Sequence, residues 1–279
     1  MPIPHDVPRD DALLRAWEWP GGDPPALLLH GIGNYGRYWD FVATEVAGTL
    51  RLVAPDARGH GDSAKPAADE GTYSAERFVD DAVAILDALR IGRALLVGHS
   101  MGGGHAIGLA ARHPERVRGL VIVDVGPELL PEGAERARRL SLGRPEELAD
   151  GAAALAYLRE TSPGYTDAVY RNRLDWCFRV EGGRLRWRSS RDALAAILAE
   201  TRRVGAMWEE LARIACPVLV VRGTRSPVLA AETARRMTEE IPRARLLELD
   251  AAHNVPLDRP RELAAAIVDL ATSLSGEEA

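Results

Sequence analysis

One short motif constrains this chain more than any other: a serine in a glycine-rich turn between an apolar segment and a helical one. GHSMG, residues 98–102, matches the pattern G-x-S-x-G, which places a serine on a sharp strand-to-helix turn. The run ALLVGHS predicts the buried strand before it, and MGGGHAIGLAARHP predicts the helix after it. Side chains would crowd such a turn, which explains Gly98 and Gly102. The motif predicts that Ser100 is a nucleophile and that the N–H of Met101, at the helix N-terminus, faces a developing oxyanion.

The segments on both sides of this motif alternate between strand and helix patterns. Apolar runs predict strands at residues 12–19 and at PPALLLHG, LRLVAPD, RGLVIVDVGP, CPVLVVRG and RARLLELD, and amphipathic segments separate most of them. This alternation predicts an α/β fold with a mostly parallel sheet and helices on both faces. Residues 127–213 break the rhythm with helical periodicity and one hairpin-like insert, FRVEGGRLRWR. We therefore predict a core domain of residues 1–126 and 214–279, with a helical domain of residues 127–213 inserted into it.

Composition limits the class of protein and its partners. The chain has 279 residues, 46% of them hydrophobic, so it can bury a large core. A net charge of -6 and a pI near 5.7 argue against nucleic acids and anionic membranes as partners. The N-terminus has no apolar core of a signal peptide, no segment reaches the ~20 apolar residues of a membrane span, and Cys177 and Cys216 are isolated thiols. We expect a cytoplasmic protein that uses no metal or organic cofactor; the oligomeric state is not predicted.

A late histidine is the best candidate for a general base. His253 lies in LLELDAAHNVPL, just past the last predicted strand, where a loop of a parallel sheet reaches the ligand-binding carboxyl edge. His30, His60 and His99 also lie in loops beyond strands, so position alone does not decide among them. His113 lies at a helix end, and we expect it to be structural.

The segment HGIG after an earlier strand has two interpretations. As a loop at the sheet edge, it supplies a second oxyanion donor, the N–H of Ile32. As part of GIGNYG, its Gly31 and Gly33 together with Gly36 match G-x-G-x-x-G, and Asp56 follows about where a dinucleotide site holds a ribose. The dinucleotide interpretation leaves GHSMG unexplained, whereas the interpretation as an oxyanion loop beside a serine nucleophile uses both segments, so we favour the latter.

The order HGIG, PDARGHGDS, GHSMGG and a late His253 resembles the α/β-hydrolase family, and the resemblance covers nearly the whole chain. It implies a serine nucleophile in Ser100, a base in His253, and oxyanion donors at Ile32 and Met101. It also implies that residues 127–213 form a helical cap that controls substrate access. A serine at position 100 disfavours the family's epoxide hydrolases and haloalkane dehalogenases, which use aspartate there.

The chain departs from the family at the acid. The usual slot, past the strand CPVLVVRG, holds Pro227, yet a histidine base needs a partner that fixes its tautomer. We predict that Asp124 in VIVDVGP replaces it, one strand over, an arrangement that some family members resemble. Asp250 and a water-assisted dyad are the alternatives for the acid. The structural alternative for Asp124 is that it only caps the entrance to the inserted domain.

These residues predict acyl transfer to water on a small or medium carboxylic ester, lactone or thioester. Carbon–carbon bond hydrolysis and cofactor-free perhydrolysis use the same fold and stay open, as does a ligand-binding protein without turnover. The dinucleotide-dependent oxidoreductase is the third class. We expect Tyr38 and Trp39 to pack beneath the oxyanion loop. The aromatic and methionine residues of the inserted domain are candidates for either an acyl pocket or a core, and they are Tyr157, Trp176, Trp187, Met207 and Trp208.

Overall fold

The structure is a computed structural model that describes residues 1–9, 12–200 and 204–275. Residues 10–11 and 276–279 of the predicted core and residues 201–203 of the predicted inserted domain lie outside this description. The strands are β1 (Ile3–Pro8), β2 (Leu13–Trp19), β3 (Ala26–Leu29), β4 (Leu52–Pro55), β5 (Ala94–His99), β6 (Val117–Val123), β7 (Glu147–Leu148), β8 (Phe178–Glu181), β9 (Arg184–Trp187), β10 (Val218–Gly223) and β11 (Ala244–Leu249).

Helices occupy most of the segments between these strands. They are α1 (Asp40–Val46), α2 (Ala75–Ala88), α3 (Met101–Arg112), α4 (Pro131–Leu142), α5 (Gly151–Thr161), α6 (Asp167–Cys177), α7 (Arg191–Ala199), α8 (Val204–Ala212), α9 (Ala231–Glu240), α10 (Val255–Asp258) and α11 (Pro260–Ser275). The predicted cap of α2 is present, since the side chain of Ser74 accepts a hydrogen bond from the N–H of Arg77.

Eight strands form one sheet in the order β1-β2-β4-β3-β5-β6-β10-β11. Strand β2 pairs antiparallel with both β1 and β4, and the remaining neighbours are parallel. The predicted α/β fold with a mostly parallel sheet is therefore confirmed. The sequence predicted β2 but not β1, whose residues IPHDVP alternate too weakly to stand out as an edge strand.

Helices cover both faces of this sheet, as the continuous apolar strands require. Leu95 and Val97 of β5 belong to the hydrophobic cluster that includes α1 and α11. Leu96, between them, belongs to the cluster on the opposite face, with α2, α3 and α9. Successive side chains of a strand point to opposite faces, so a strand buried on both sides carries no polar alternation. This burial holds the carboxyl ends of the parallel strands at one edge.

The segment between β6 and β10 departs from this pattern. Residues 131–199, here called the inserted segment, contain α4–α7 and a small sheet of order β7-β9-β8. The predicted hairpin in FRVEGGRLRWR is β8 and β9. Helix α8 contacts α3 and α9, and its Met207 and Leu211 lie in the sheet's hydrophobic cluster. The predicted boundary at residue 213 stays a prediction, but these contacts group α8 with the core helices. None of the described helices combines the length and apolar character needed to cross a membrane.

Candidate active site

Ser100 lies at the sharp turn between β5 and α3. Its backbone has φ 53° and ψ -121°, a region that side chains rarely adopt and that costs about 1–3 kcal/mol. A Cβ atom on Gly98 would lie 2.5 Å from the carbonyl oxygen of Gly102, and one on Gly102 would lie 2.3 Å from that of Leu29. Both glycines are therefore needed for β3, β5 and α3 to approach this closely.

Ser100, His253 and Asp124 form one hydrogen-bonded chain. The Oγ of Ser100 lies 3.1 Å from the Nε2 of His253, and the Nδ1 of His253 lies 2.7 Å from the Oδ2 of Asp124. The carboxylate accepts from Nδ1–H, which leaves a lone pair on Nε2 to face the serine hydroxyl. The structure thus brings the three residues predicted from separate loops into the geometry of a nucleophile, a base and an orienting acid.

Asp124 is held by groups from the neighbouring strand β10 and the loop after it. It is completely buried just past the end of β6, where its backbone also has φ 53°. Its Oδ1 accepts from the N–H of Gly223 at 2.9 Å, and its Oδ2 accepts from the hydroxyl of Ser226 at 2.5 Å. Ser226 immediately precedes Pro227, the slot where the family usually has its acid. The loop that lacks the carboxylate therefore supplies a donor to the carboxylate that replaces it.

The alternative acid is on the surface. Asp250 is exposed and pairs with Arg225 and Arg259. Those arginines lower the pKa of its carboxyl, the hydrogen bond and charge of Arg225 contributing most. Asp250 therefore does not contact His253, and Asp124 occupies the position next to the imidazole.

The loop that carries His253 is fixed on both sides. The N–H of Ala252 donates to the carboxylate of Asp258 at 2.8 Å. The carbonyl of His253 accepts from the Nε2 of His99 at 2.9 Å, and the ring of Tyr38 stacks on His99. Burial lowers the pKa of His99 well below its usual value, so this imidazole is neutral and acts as a donor. Tyr38 and Trp39 are both fully buried. That they pack beneath the oxyanion loop stays a prediction.

The two predicted oxyanion donors also meet at this edge. Ile32 follows β3, and Met101 is the first residue of α3 after Ser100. Neither main-chain N–H donates to another of the described residues. Two such N–H groups flanking a nucleophile are the arrangement that stabilises a developing oxyanion.

Two buried histidines hold the loop of Ile32 in place. The Nε2 of His30 accepts from the N–H of Ala57, and the Nε2 of His60 accepts from the N–H of Gly33, both at 3.0 Å. Each Nδ1 donates to a carbonyl, so both rings are neutral. Burial lowers the pKa of His30 to about 4 and holds that of His60 well below its usual value. Sequence reasoning placed these histidines near the site but did not find this role, which depends on contacts between two loops.

The dinucleotide alternative is wrong. Asp56 is buried, and its carboxylate accepts from the N–H groups of Gly36 and Asp62 at 2.6 and 2.8 Å. It closes the loop after β4 onto the loop after β3 instead of facing a ribose. A Cβ atom on Gly31 would lie 3.1 Å from the Cβ of Ser100, and one on Gly36 would lie 2.5 Å from the carbonyl oxygen of Ala54, whereas Gly33 has φ 74° and open space around it. The match to G-x-G-x-x-G thus reflects close packing at two positions and a turn at the third.

Comparison with known proteins identifies the family of this chain. A family model for the alpha/beta hydrolase fold matches residues 24–260. The chain belongs to the α/β-hydrolase family. A 3-hydroxybutyrate-oligomer hydrolase of Cupriavidus necator is 32% identical over 266 residues, which are 89% of each chain. An esterase of Mycobacterium tuberculosis is 28% identical over 272 residues, or 94% of this chain and 87% of the relative.

A solved structure extends this likeness to three dimensions. The crystal structure of E-2-(acetamidomethylene)succinate hydrolase superposes with a TM-score of 0.86 at 26% identity, covering 97% of this chain and 99% of that one. The relatives are hydrolases, and this α/β-hydrolase is accordingly a hydrolytic enzyme. No cluster of metal-binding side chains occurs among the residues described.

Two cavities of the hydrolase meet at Ser100. The smaller, of about 190 Å³, contains Ser100 and His253 and is bounded by the inserted segment. The larger, of about 680 Å³, contains Ser100 and Met101 and has a mostly apolar lining that includes Phe78 and Val125. A substrate with its carbonyl at Ser100 can therefore extend into two chemically different spaces.

The aromatic candidates of the predicted inserted domain divide between these cavities and the protein core. Tyr157 and Trp187 line the smaller cavity, and Met207 lines the larger. Trp176 lines neither and packs against Trp17 with ring centroids 5.0 Å apart. Trp208 also lines neither: its indole N–H donates to Glu128 beneath the guanidinium of Arg236.

Proposed function

We propose that this hydrolase cleaves a small or medium carboxylic ester, lactone or thioester through an acyl-enzyme on Ser100. The observation that carries the proposal is the continuous hydrogen-bonded chain from the Oγ of Ser100 through His253 to Asp124. A serine hydroxyl becomes an effective nucleophile only when an adjacent base can take its proton. The contacts of His253 with Ser100 and Asp124 support this role for the imidazole.

Each residue has one role in this mechanism. Ser100 attacks the carbonyl carbon as His253 Nε2 takes the hydroxyl proton, and the N–H groups of Ile32 and Met101 stabilise the resulting oxyanion. His253 then gives the proton to the leaving group, whose departure leaves the acyl-enzyme. A water molecule enters, and His253 takes a proton from it as the resulting hydroxide attacks the acyl carbon. The Ser100 Oγ–acyl bond then breaks, His253 returns the proton to the Oγ of Ser100, and the acid is released. Asp124 keeps the imidazole in its productive tautomer and stabilises the imidazolium.

The inserted segment acts as the cap of this site. Tyr157 and Trp187 bring its aromatic surface to the cavity that holds Ser100 and His253. The named activities of the relatives, an esterase and a hydrolase of 3-hydroxybutyrate oligomers, support ester chemistry as the first class to test. The larger apolar cavity beside Ser100 favours a substrate with an apolar arm.

A fluorophosphonate probe followed by an ester panel tests the proposal. We expect the probe to label the native enzyme at Ser100 and not a Ser100→Ala variant. We also expect p-nitrophenyl esters of rising acyl length to give a burst of p-nitrophenol at high enzyme concentration. An unlabelled enzyme that hydrolyses no ester or thioester contradicts the proposal and favours a ligand-binding protein.

Product analysis separates the remaining hydrolase alternatives. Carbon–carbon bond hydrolysis and perhydrolysis use the same three residues, so probe labelling alone does not distinguish them. Ester hydrolysis yields one acid and one alcohol per turnover, whereas perhydrolysis consumes hydrogen peroxide and yields a peracid. With peroxide present, formation of the peracid in place of the acid, with one peroxide consumed for each ester cleaved, would favour the perhydrolase.

A further inference from the structure

The smaller cavity at Ser100 has an unusual charge composition. Three arginines line it, Arg136, Arg144 and Arg173, and no aspartate or glutamate appears among the described residues that line it. Arg136 is exposed, and its guanidinium donates to the carbonyl of Thr161. The other two arginines lie deeper, on the side of the inserted segment.

Arg144 is a buried cation with no carboxylate partner among the described residues. It is 5% exposed, its guanidinium lies 4.4 Å from the ring centroid of Trp187, and two of its N–H groups donate to Ser189. Burial lowers the pKa of Arg144 to about 10, so it stays charged at neutral pH. Burying a charge without a counter-ion costs several kcal/mol in general, which is why such groups are normally paired.

Arg173 has the same deficit. Its Nε is buried and has no hydrogen-bond partner in the part of the chain that the structure describes. The acidic groups near its guanidinium are the thiol of Cys177 and the hydroxyls of Tyr35 and Tyr165, which raise the pKa of Arg173. Burial raises the pKa of all three, that of Tyr165 to about 12, so each is neutral at pH 7.

Carboxylates on the neighbouring elements are already engaged. Asp40, on α1, accepts from Arg37 and Asn172. Asp258, on α10, accepts from the N–H of Ala252. The cavity therefore holds two arginines whose negative partner does not come from the described residues.

We infer that the substrate carries a free carboxylate, separate from the bond that is cleaved, which Arg144 and Arg173 bind in the cavity beside Ser100. This inference rests on the proposed serine-hydrolase function and adds a substrate class to it. The guanidinium group is a planar fork of donors that matches the two oxygens of a carboxylate. When the carboxylate is bound there, the larger apolar cavity is available to the rest of the substrate.

Pairs of substrates that differ only in this charge test the inference. One pair has the charge on the acyl side: mono-p-nitrophenyl glutarate against its methyl ester. The other has it on the leaving group: the butyrate ester of glycolic acid against that of glycolamide. We expect the acid to have the higher kcat/KM in one pair, by about 10- to 100-fold, the size of a charge-assisted hydrogen bond. Neutral substrates preferred or equal in both pairs would overturn the inference while leaving the hydrolase proposal intact.

Variants locate the effect. Arg173→Gln and Arg144→Gln should each lower the acid-to-neutral ratio of kcat/KM by about 10-fold or more, and Arg173→Lys should restore part of it. Arg171→Gln is the matched control, because Arg171 lies on the same helix, α6, and is exposed. An equal loss of the ratio in the Arg171→Gln variant would contradict a specific site.

Binding to the unmodified enzyme provides a readout that needs neither folding of a variant nor turnover. Glutarate should inhibit hydrolysis of a neutral ester competitively and raise the melting temperature, whereas glutaramide should do neither. If glutarate binds but the probe does not label Ser100, the anion site stands and the catalytic proposal fails. If the probe labels Ser100 and glutarate has no more effect than glutaramide, the anion site is wrong.

Discussion

Asp124 is the residue whose catalytic assignment depends most on three-dimensional contacts. It has no exposed surface, and its oxygens bind His253, Ser226 and the N–H of Gly223. Replacement by asparagine keeps the shape but permits the wrong histidine tautomer, so we expect Asp124→Asn to lower kcat by roughly 10²- to 10⁴-fold. Steady-state kinetics on the best p-nitrophenyl ester measure this. Asp250→Asn, an exposed acid near His253 in sequence, is the control and should keep full activity.

Ser226 is predicted to position Asp124 through its hydroxyl. Ser226→Ala removes one of the donors to the carboxylate but leaves the N–H of Gly223, so kcat should fall by about tenfold with little change in KM. Ser226→Thr keeps a hydroxyl and should recover most of the rate. Equal losses in the alanine and threonine variants would indicate a packing effect and not the hydrogen bond.

The sequence alone predicted the roles of some of these residues and not of others. Ser100 and Met101 were predictable because the chemistry of the turn is local, within five residues. Asp124 was preferred over Asp250 from its strand end, but its support by Ser226 joins residues 102 positions apart and has no local signature. The same holds for Arg144 and Arg173, which become noteworthy only when the cavity around them proves to contain no carboxylate.

At the scale of elements, helix α2 anchors the loop that supports the oxyanion segment. Arg58 is fully buried in that loop, and its Nε and Nη2 donate to the two carboxylate oxygens of Asp81 on α2, at 2.6 and 2.8 Å. Asp81→Ala removes the carboxylate that faces the buried guanidinium of Arg58, so it should lower the free energy of unfolding by about 3–5 kcal/mol.

Urea unfolding followed by circular dichroism measures this difference. Asp87→Ala is the control on the same helix: Asp87 is 63% exposed and pairs with Arg116, so its loss should cost about 0–1 kcal/mol. A similar cost for both variants would show that the burial of the Arg58–Asp81 pair has no special weight.

The sequence predicted strands and helices best where a single hydrophobic pattern runs through the whole element. The central strands β3, β4, β5, β6 and β10 were predictable because burial on both faces makes them largely continuous apolar runs. The inserted segment has no continuous apolar runs. Its helical character was predictable, but the bounds of its individual helices were not. Helix α8 has the same amphipathic character, yet it packs on α3 and α9, where its Met207 and Leu211 join the hydrophobic cluster of the sheet. This contact joins elements distant in sequence.

At the scale of the whole molecule, the carboxyl edge of the sheet concentrates buried neutral histidines. His30, His60 and His99 each have a pKa lowered mainly by burial, and each uses its ring in hydrogen bonds between loops. A group that is held neutral in the folded state but binds a proton when unfolded makes stability depend on pH. These three histidines should therefore limit the stability of the enzyme in acid.

His30 makes the folded enzyme less stable in acid, between about pH 6.5 and pH 4. An unfolded histidine titrates near 6.5, whereas the folded value is about 4, so the unfolded chain binds more protons between these values. The contribution of His30 is fully present above pH 6.5 and is lost as the pH falls through the interval, by about 3 kcal/mol near pH 4. Asp56 acts in the opposite sense, because burial raises its pKa to about 6 and its contribution is lost as the pH rises toward that value.

A His30→Gln variant isolates the histidine from such opposing groups. The glutamine side chain offers an oxygen close to the position of Nε2, which accepts from the N–H of Ala57, but it takes up no proton. We expect the variant to be less stable than the wild type near neutral pH, with the difference shrinking by about 3 kcal/mol between about pH 7 and pH 4. Urea unfolding of both proteins across this range measures it. A stability difference that stays constant with pH would mean that His30 is not held neutral in the folded enzyme.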